Sequence, residues 1–316
     1  MLHKQNNTSA NSAMSSKPLP GRQEKESLIE RFSKNPKFLK IFQLSPVLSW
    51  LALFLVTPLV VILVYSFCTR GMGGTIEAVF TVDNYWQFFS NSVYRKVLFK
   101  SLRIGAEVTV VTLFVGFIPA YYLATTKIKN RLFLIMLLIV PFWTSYLIRT
   151  YSWVLVLGRE GVVNVYLLKL GIIDQPIQLL YTEMAVVMGL IHFVLPFMVF
   201  PIFSTLDKLD YNLINAAKNL GANSLQAFYR ITLPLAMPGI AAGCLLVFIL
   251  SVGSYITPAL LGGPQDVMIT QIITQRFLTL YDWPFGAAAA IIYLVVMLLF
   301  ILIYNRVIGL RRIMNM

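Results

Sequence analysis

Six long apolar runs, separated by short polar stretches, make up most of this 316-residue chain. They lie at Pro46–Cys68, between Glu107 and Lys127, over Leu132–Ile148 and on past Arg149, between Glu183 and Asp207, between Arg230 and Asp266, and between Asp282 and Arg306. A helix rising 1.5 Å per residue needs about 20 apolar residues to cross roughly 30 Å of bilayer hydrocarbon. The pattern therefore predicts an all-α membrane protein with six transmembrane helices. Residues 1–44 are polar, and the first apolar run begins too late for a secretory signal. They are expected to form a partly disordered arm that turns amphipathic near its end, with residues 45–68 as the first transmembrane helix and 306–316 as a C-terminal tail.

One polar island stands out, "NAAKNLGANSLQAFYRITLP" at Asn215–Pro234. Leading into it, Leu206, Leu209, Leu213, Ala217 and Leu220 recur every three or four positions, one stripe of a helix. Gly221 follows where a helix C-terminus favours a left-handed residue, and Asn223 or Ser224 can cap a second helix carrying Leu225, Phe228 and Ile231 before Pro234. The expectation is two short helices around a glycine corner, apolar faces on the spans, with Asn215, Lys218 and Asn219 outward. Such an element either lies on the membrane or fills a groove on a partner protein.

Charge orients the chain. The composition is 58% hydrophobic and only 12% charged, against roughly 25% in soluble domains. Six spans put both termini on one side, and that side collects 17 of the 26 basic residues but five of the 13 acidic ones. Lysine and arginine favour the cytoplasmic side, so both termini and the island are expected there. The net charge of +13 then calls for no nucleic acid. An exception is "YRKVLFKSLR" at Tyr94–Arg103 on the other side, expected to be a short interfacial helix whose cations snorkel. Cys68 and Cys244 sit in different spans without metal or redox spacing, which suits packing residues.

The island carries a more specific signal. Ala216, Ala217, three residues, Gly221, nine residues, then Ile231, Thr232, Leu233 and Pro234 match the signature E-A-A-x-x-x-G-x9-I-x-L-P. On this motif the chain resembles the inner-membrane permeases of ATP-binding-cassette importers, with one departure: Asn215 stands where the family has Glu. "PFWTSYLIRTYSW" at Pro141–Trp153, "LPFMVFPIF" at Leu195–Phe203, "LLGGPQDVMI" at Leu260–Ile269 and "DWPFGAAAA" at Asp282–Ala290 resemble the branch that carries spermidine and putrescine. Permeases for opines and other organic cations share these phrases.

The resemblance implies a type I importer permease fold in the bacterial inner membrane, with a five-helix core over 100–305 and a coupling loop at 206–233. It implies as partners a dimer of ABC ATPases, a second homologous permease and a periplasmic solute-binding protein. Asn215, Ala216, Ala217, Lys218 and Gly221 would dock on the ATPase. The chain has no G-x-x-x-x-G-K-[ST] loop and no Gly-Lys dipeptide, so ATP and Mg²⁺ are expected to be used by the partner, with no cofactor or metal on this chain.

Catalytic constellations are missing: the only histidines are His3 and His192, and no H-E-x-x-H is present. His192, near the middle of a span, reads as a buried histidine bonded to a neighbouring helix rather than a transport ligand. A path for an organic cation calls for aromatic faces and hydroxyls, because a deep carboxylate would hold the ion too tightly. Trp143, Tyr146, Ser251, Ser254 and Tyr255 fit that description, with a membrane-belt or packing role as the alternative for the aromatics. Glu183 and Asp282 are expected at outer span ends, and Pro119, Pro141, Pro196 and Pro258 are candidate bend points. Two other classes stay open: a secondary transporter, which calls for inverted repeats and mid-span ionisable groups, and a non-transporting scaffold.

Overall fold

A computed structural model describes residues 36–126 and 131–308. Most of the expected polar arm and of the C-terminal tail therefore lies outside the described residues. The chain divides into two units, Met1–Val61 and Ile62–Met316. In the first, α1 (Pro36–Leu51) runs into a π-helical turn, Ala52–Val56, with the Trp50 and Phe54 rings 4.3 Å apart. Helix α2 (Thr57–Ser66) follows. The helical stretch here that is long and apolar enough to cross a membrane is Leu44–Ser66.

The second unit continues with a two-stranded antiparallel hairpin, β1 (Thr69–Arg70) and β2 (Ile76–Glu77). Helices α3 (Asp83–Ser90) and α4 (Ser92–Thr125) follow, then α5 (Arg131–Ile139), α6 (Tyr146–Leu157), α7 (Val162–Lys169) and α8 (Glu183–Leu206). The chain ends with α9 (Tyr211–Asn219), α10 (Ser224–Ala227), α11 (Leu233–Val252), α12 (Ile256–Leu261), α13 (Ile269–Leu278) and α14 (Trp283–Ile308). Among the described residues five helices are long and apolar enough to cross a membrane, and a sixth if one bent pair counts as a single span.

That bent pair is the third predicted span. Residues Phe133–Trp143 and Tyr146–Lys169 meet at 91°. Pro141 sits in a 3-10 turn, Val140–Trp143, and Thr144 is extended, so the run is a broken element and not a straight rod. Proline cannot donate to the preceding turn, which explains the site of the break. Pro119 and Pro196, by contrast, lie inside α4 and α8, which continue through them.

The core is formed by α4, α8 and α11. Ile104 and Val108 from α4, Leu190, Met198 and Ile202 from α8, and Val247 from α11 are fully buried together. Lipid tails are as apolar as these side chains, so close backbone approach has to hold such helices together. The sequence "GIAAG" of α11 provides it: a Cβ on Gly239 would fall 2.5 Å from the Pro201 carbonyl oxygen, and one on Gly243 would fall 3.2 Å from that of Met198.

The basic segment Tyr94–Arg103 is not a separate interfacial helix. It forms the first turns of α4, whose 34 residues span about 51 Å, well beyond the roughly 30 Å of hydrocarbon. Two of its cations are paired across the end of the bundle: Lys100 with Asp266 at 2.7 Å and Glu183 at 3.3 Å, and Arg103 with Glu183 at 2.5 Å. Arg276 of α13 binds Asp282 at 2.9 Å, donates to the Tyr94 hydroxyl, and lies 4.4 Å from the Phe285 ring centre. Glu183 and Asp282 are therefore structural partners of cations at this end.

Candidate functional site

The island folds as a tight corner. Asp210 caps α9 by accepting from the Asn212 amide at 2.9 Å. At the far end Gly221 has φ +90°; its N–H donates to the Lys218 carbonyl and that of Ala222 to the Ala217 carbonyl, each at 3.0 Å. These two bonds are the Schellman pattern, and a left-handed residue is what allows them. No atom lies within 4 Å of a Cβ at Gly221, so backbone conformation and not space selects glycine. The chain then restarts with a reciprocal cap, Gln226 N–H to Asn223 Oδ1 at 2.8 Å and Asn223 N–H to Gln226 Oε1 at 3.0 Å.

Two expectations change here. The second helix is not a short independent one: α10 passes through a π-helical turn, Phe228–Thr232, directly into α11, giving one helix over Ser224–Val252. Nor is the apolar stripe all packed inward. Leu206 is buried and Leu209 partly so, but Leu213 is exposed and Leu220 is 89% exposed, with Leu225 exposed beside it. Helix α9 carries its apolar residues away from the bundle because the chain turns outward at Asp207–Asp210. Asn215, Ala216 and Lys218 are exposed, and Ala217 and Gly221 border a groove of about 310 Å³ running to Arg230. The corner is fastened through Phe228, whose ring meets Phe117 and Tyr121 of α4 edge-on at 5.9 and 5.7 Å. Phe228 is one of the residues expected to face the spans, whereas its partners Phe117 and Tyr121, four residues apart on one helix face, were not singled out by sequence.

The second set of candidate residues is only partly brought together. Tyr146 at the start of α6 shares hydrogen bonds with Ser254 Oγ at 2.9 Å and Thr257 Oγ1 at 2.5 Å, and its ring stacks on Phe193 at 4.2 Å. Ser254 also accepts from the Thr270 hydroxyl through its carbonyl, at 2.6 Å. This cluster ties α6, the α11–α12 break and α13 into one hydroxyl network. Thr257 was missed, though its spacing of three from Ser254 suits one helical face. Tyr255 is partly exposed and lines a groove of about 290 Å³ with Gln271, Thr274 and Gln275. Ser251 is fully buried and its hydroxyl has no hydrogen-bond partner among the described residues. Trp143 is 85% exposed and takes part in none of these contacts.

His192 accepts from the Trp153 indole N–H at 3.0 Å through Nδ1, and is exposed on the bundle surface, not buried. Arg149, one turn beyond Tyr146, lies 4.9 Å over the Phe142 ring, and its buried Nε has no hydrogen-bond partner among the described residues.

The family model described as "Binding-protein-dependent transport system inner membrane component" matches residues 38–312. This chain belongs to that family. It is 44% identical over 260 residues to the spermidine/putrescine transport system permease protein PotB of Escherichia coli (strain K12), covering 82% of this chain and 94% of that one. Identity to the protein of the same description from Haemophilus influenzae is 40% over 272 residues, covering 86% and 94%. Among solved structures, a bacterial ABC transporter involved in the import of the acidic polysaccharide alginate superposes with a TM-score of 0.73 at 20% identity, covering 91% of this chain and 98% of that one. At that identity the likeness speaks for the helical fold alone. The chain is thus an inner-membrane transport component and not an enzyme.

Proposed function

We propose that this permease carries a polyamine, spermidine or putrescine, inward across the membrane as one of two homologous membrane subunits driven by a dimer of ABC ATPases. The observation that carries the reading is the 44% identity that extends over 94% of a spermidine/putrescine permease. The corner at 207–223 faces the cytoplasm in this reading, with Leu220 and Leu225 meeting an apolar cleft on the ATPase and Asn215, Ala216, Ala217, Lys218 and Gly221 forming the docked surface. ATP and Mg²⁺ act on the ATPase, and a periplasmic binding protein delivers substrate to the opposite end.

The chemistry suits a cation. Each positive charge moving inward gains about 2.3 kcal/mol per 100 mV of inside-negative potential, so the path has only to replace hydration water. Tyr146, Ser254 and Tyr255, with Trp143 and Ser251 as further candidates, offer ring faces and hydroxyl lone pairs, and a ring face contributes roughly 0.5–2 kcal/mol per contact. The nearby carboxylates Glu183, Asp266 and Asp282 are tied to basic residues and do not trap the ion.

Reconstitution with the ATPase, second permease and binding protein, followed by radiolabelled spermidine and putrescine uptake, tests the reading. Gly221→Asp should insert normally yet abolish ATPase co-purification and uptake; normal uptake would sink the assignment. A second reading rests on Arg149, whose buried Nε has no hydrogen-bond partner among the described residues and which suits an amine that also bears a carboxylate. Competition by such amino acids, with no polyamine uptake, would favour it.

A further inference from the structure

Among the described residues, Tyr181 at φ 61° and Tyr281 at φ 49° are the non-glycine residues with positive φ. For a residue with a β-carbon this region is sterically strained, and glycine or asparagine occupies it with less penalty. The two positions are alike. Each precedes the cap of a long helix: Thr182 accepts from Ala185 N–H ahead of α8, and Asp282 accepts from Phe285 N–H ahead of α14. Each backbone is clamped by a glycine from another loop. A Cβ on Gly263 would fall 2.5 Å from the Tyr181 carbonyl oxygen, and one on Gly74 would fall 2.9 Å from Tyr281 Cβ.

Clamping explains the backbone corners but not the tyrosines. The two side chains lie on residues 54% and 59% exposed, so burial offers little return for the strain. Strained residues held by their surroundings cluster at functional and ligand-contacting sites. Both corners also border a groove with an exposed cation. Tyr181 lines one of about 340 Å³ with Arg159 and Gln178; Leu280, next to Tyr281, lines one of about 540 Å³ with Lys96 and Gln265. Arg159 and Lys96 have no ion pair among the described residues, unlike Lys100, Arg103 and Arg276 at the same end.

We infer that Tyr181 and Tyr281 are paired aromatic anchors for the soluble solute-binding protein, which meets Arg159 and Lys96 with acidic side chains. The inference rests on the proposed function, which puts this end outside the cell. Tyrosine is the residue type that concentrates interface energy, since it buries a rigid ring and keeps a polar tip. Each groove is mainly apolar but pairs an amide with a cation that has no ion pair among the described residues, Gln178 with Arg159 and Gln265 with Lys96, which suits a protein surface offering apolar side chains beside carboxylates.

The test uses the complete transporter in nanodiscs with its binding protein. Asparagine tolerates the left-handed conformation, so Tyr181→Asn and Tyr281→Asn remove the rings without adding backbone strain. Each is expected to weaken binding-protein affinity about tenfold, leave basal ATP hydrolysis and thermal stability unchanged, and lower only the binding-protein-stimulated rate. Tyr→Phe at either site should retain most of the affinity, and Lys96→Glu with Arg159→Glu should lose it steeply at low salt. Unchanged affinity in the double asparagine variant overturns the inference. So does a fall in thermal stability, which would make the rings lipid anchors, or loss of the second permease on purification, which would put them at the subunit interface. A wild-type complex that neither binds a solute-binding protein nor takes up substrate overturns the proposed function itself.

Discussion

Replacing Gly221 by alanine, asparagine and aspartate separates the backbone of the corner from its surface. Gly221 sits at φ +90° with no atom within 4 Å of a Cβ, so alanine meets no steric obstacle beyond its own backbone. The left-handed conformation of a β-substituted residue costs about 1–2 kcal/mol. That energy is set against two bonds, Gly221 to Lys218 and Ala222 to Ala217. One to two kcal/mol lowers the ratio of formed to unformed corner by a factor of about 5–30. Asparagine, which tolerates this region, should lose clearly less. Aspartate resembles asparagine in backbone preference but adds a negative charge to the face proposed to dock, so its effect reports the proposed partner contact. ATPase retained on the tagged permease, at matched membrane levels, is the measurement. Retention is expected in the order glycine, asparagine, alanine, with aspartate lowest. Alanine equal to glycine, or asparagine as harmful as alanine, would refute the reasoning.

Tyr146→Phe keeps the ring stack on Phe193 but removes the hydroxyl shared with Ser254 and Thr257; a loss of roughly 0.5–2 kcal/mol is expected. Thermal unfolding in detergent should drop accordingly, and an unchanged midpoint would mean the bonds contribute nothing. Lys100→Met should destabilise more than Arg103→Met, because the Lys100 side chain is 23% exposed and that of Arg103 60%. Salt at 0.5 M should weaken the Arg103 contribution first, and equal sensitivity of both would contradict the assignment. Gly239→Ala drives a methyl group to 2.5 Å from the Pro201 carbonyl, a backbone atom that cannot step aside; expression of folded protein should fall sharply, as gel filtration would report.

The spans and the corner were readable because hydrophobic length and 3.6-residue periodicity are local properties. Asn223 as a cap and Gly221 as the left-handed residue follow from what those side chains do to their own backbone. The rest depended on partners far along the chain. Lys100 and Arg103 looked like snorkelling cations because their acids, Asp266 and Glu183, are more than 75 residues away. Pro119, Pro141, Pro196 and Pro258 were equal candidates for a bend, but α4 and α8 continue through Pro119 and Pro196, the run breaks at Pro141, and Pro258 lies inside α12, just after the break that follows Val252. Leu213 and Leu220 were assigned to the interior because periodicity identifies an apolar face without saying what covers it. Ser251 and Tyr146 both carry hydroxyls in apolar runs, yet only Tyr146 was brought to other hydroxyls.

The length of α4 has a mechanical consequence. Near one end its Phe117 and Tyr121 hold Phe228 of the corner, and near the other its Lys100 and Arg103 hold Glu183 and Asp266. One helix therefore carries both grips, roughly 21–32 Å apart along its axis. Under the proposed function, a tilt imposed at the aromatic grip would reach the ionic grip through the backbone of this one helix, without a relay of intermediate side chains.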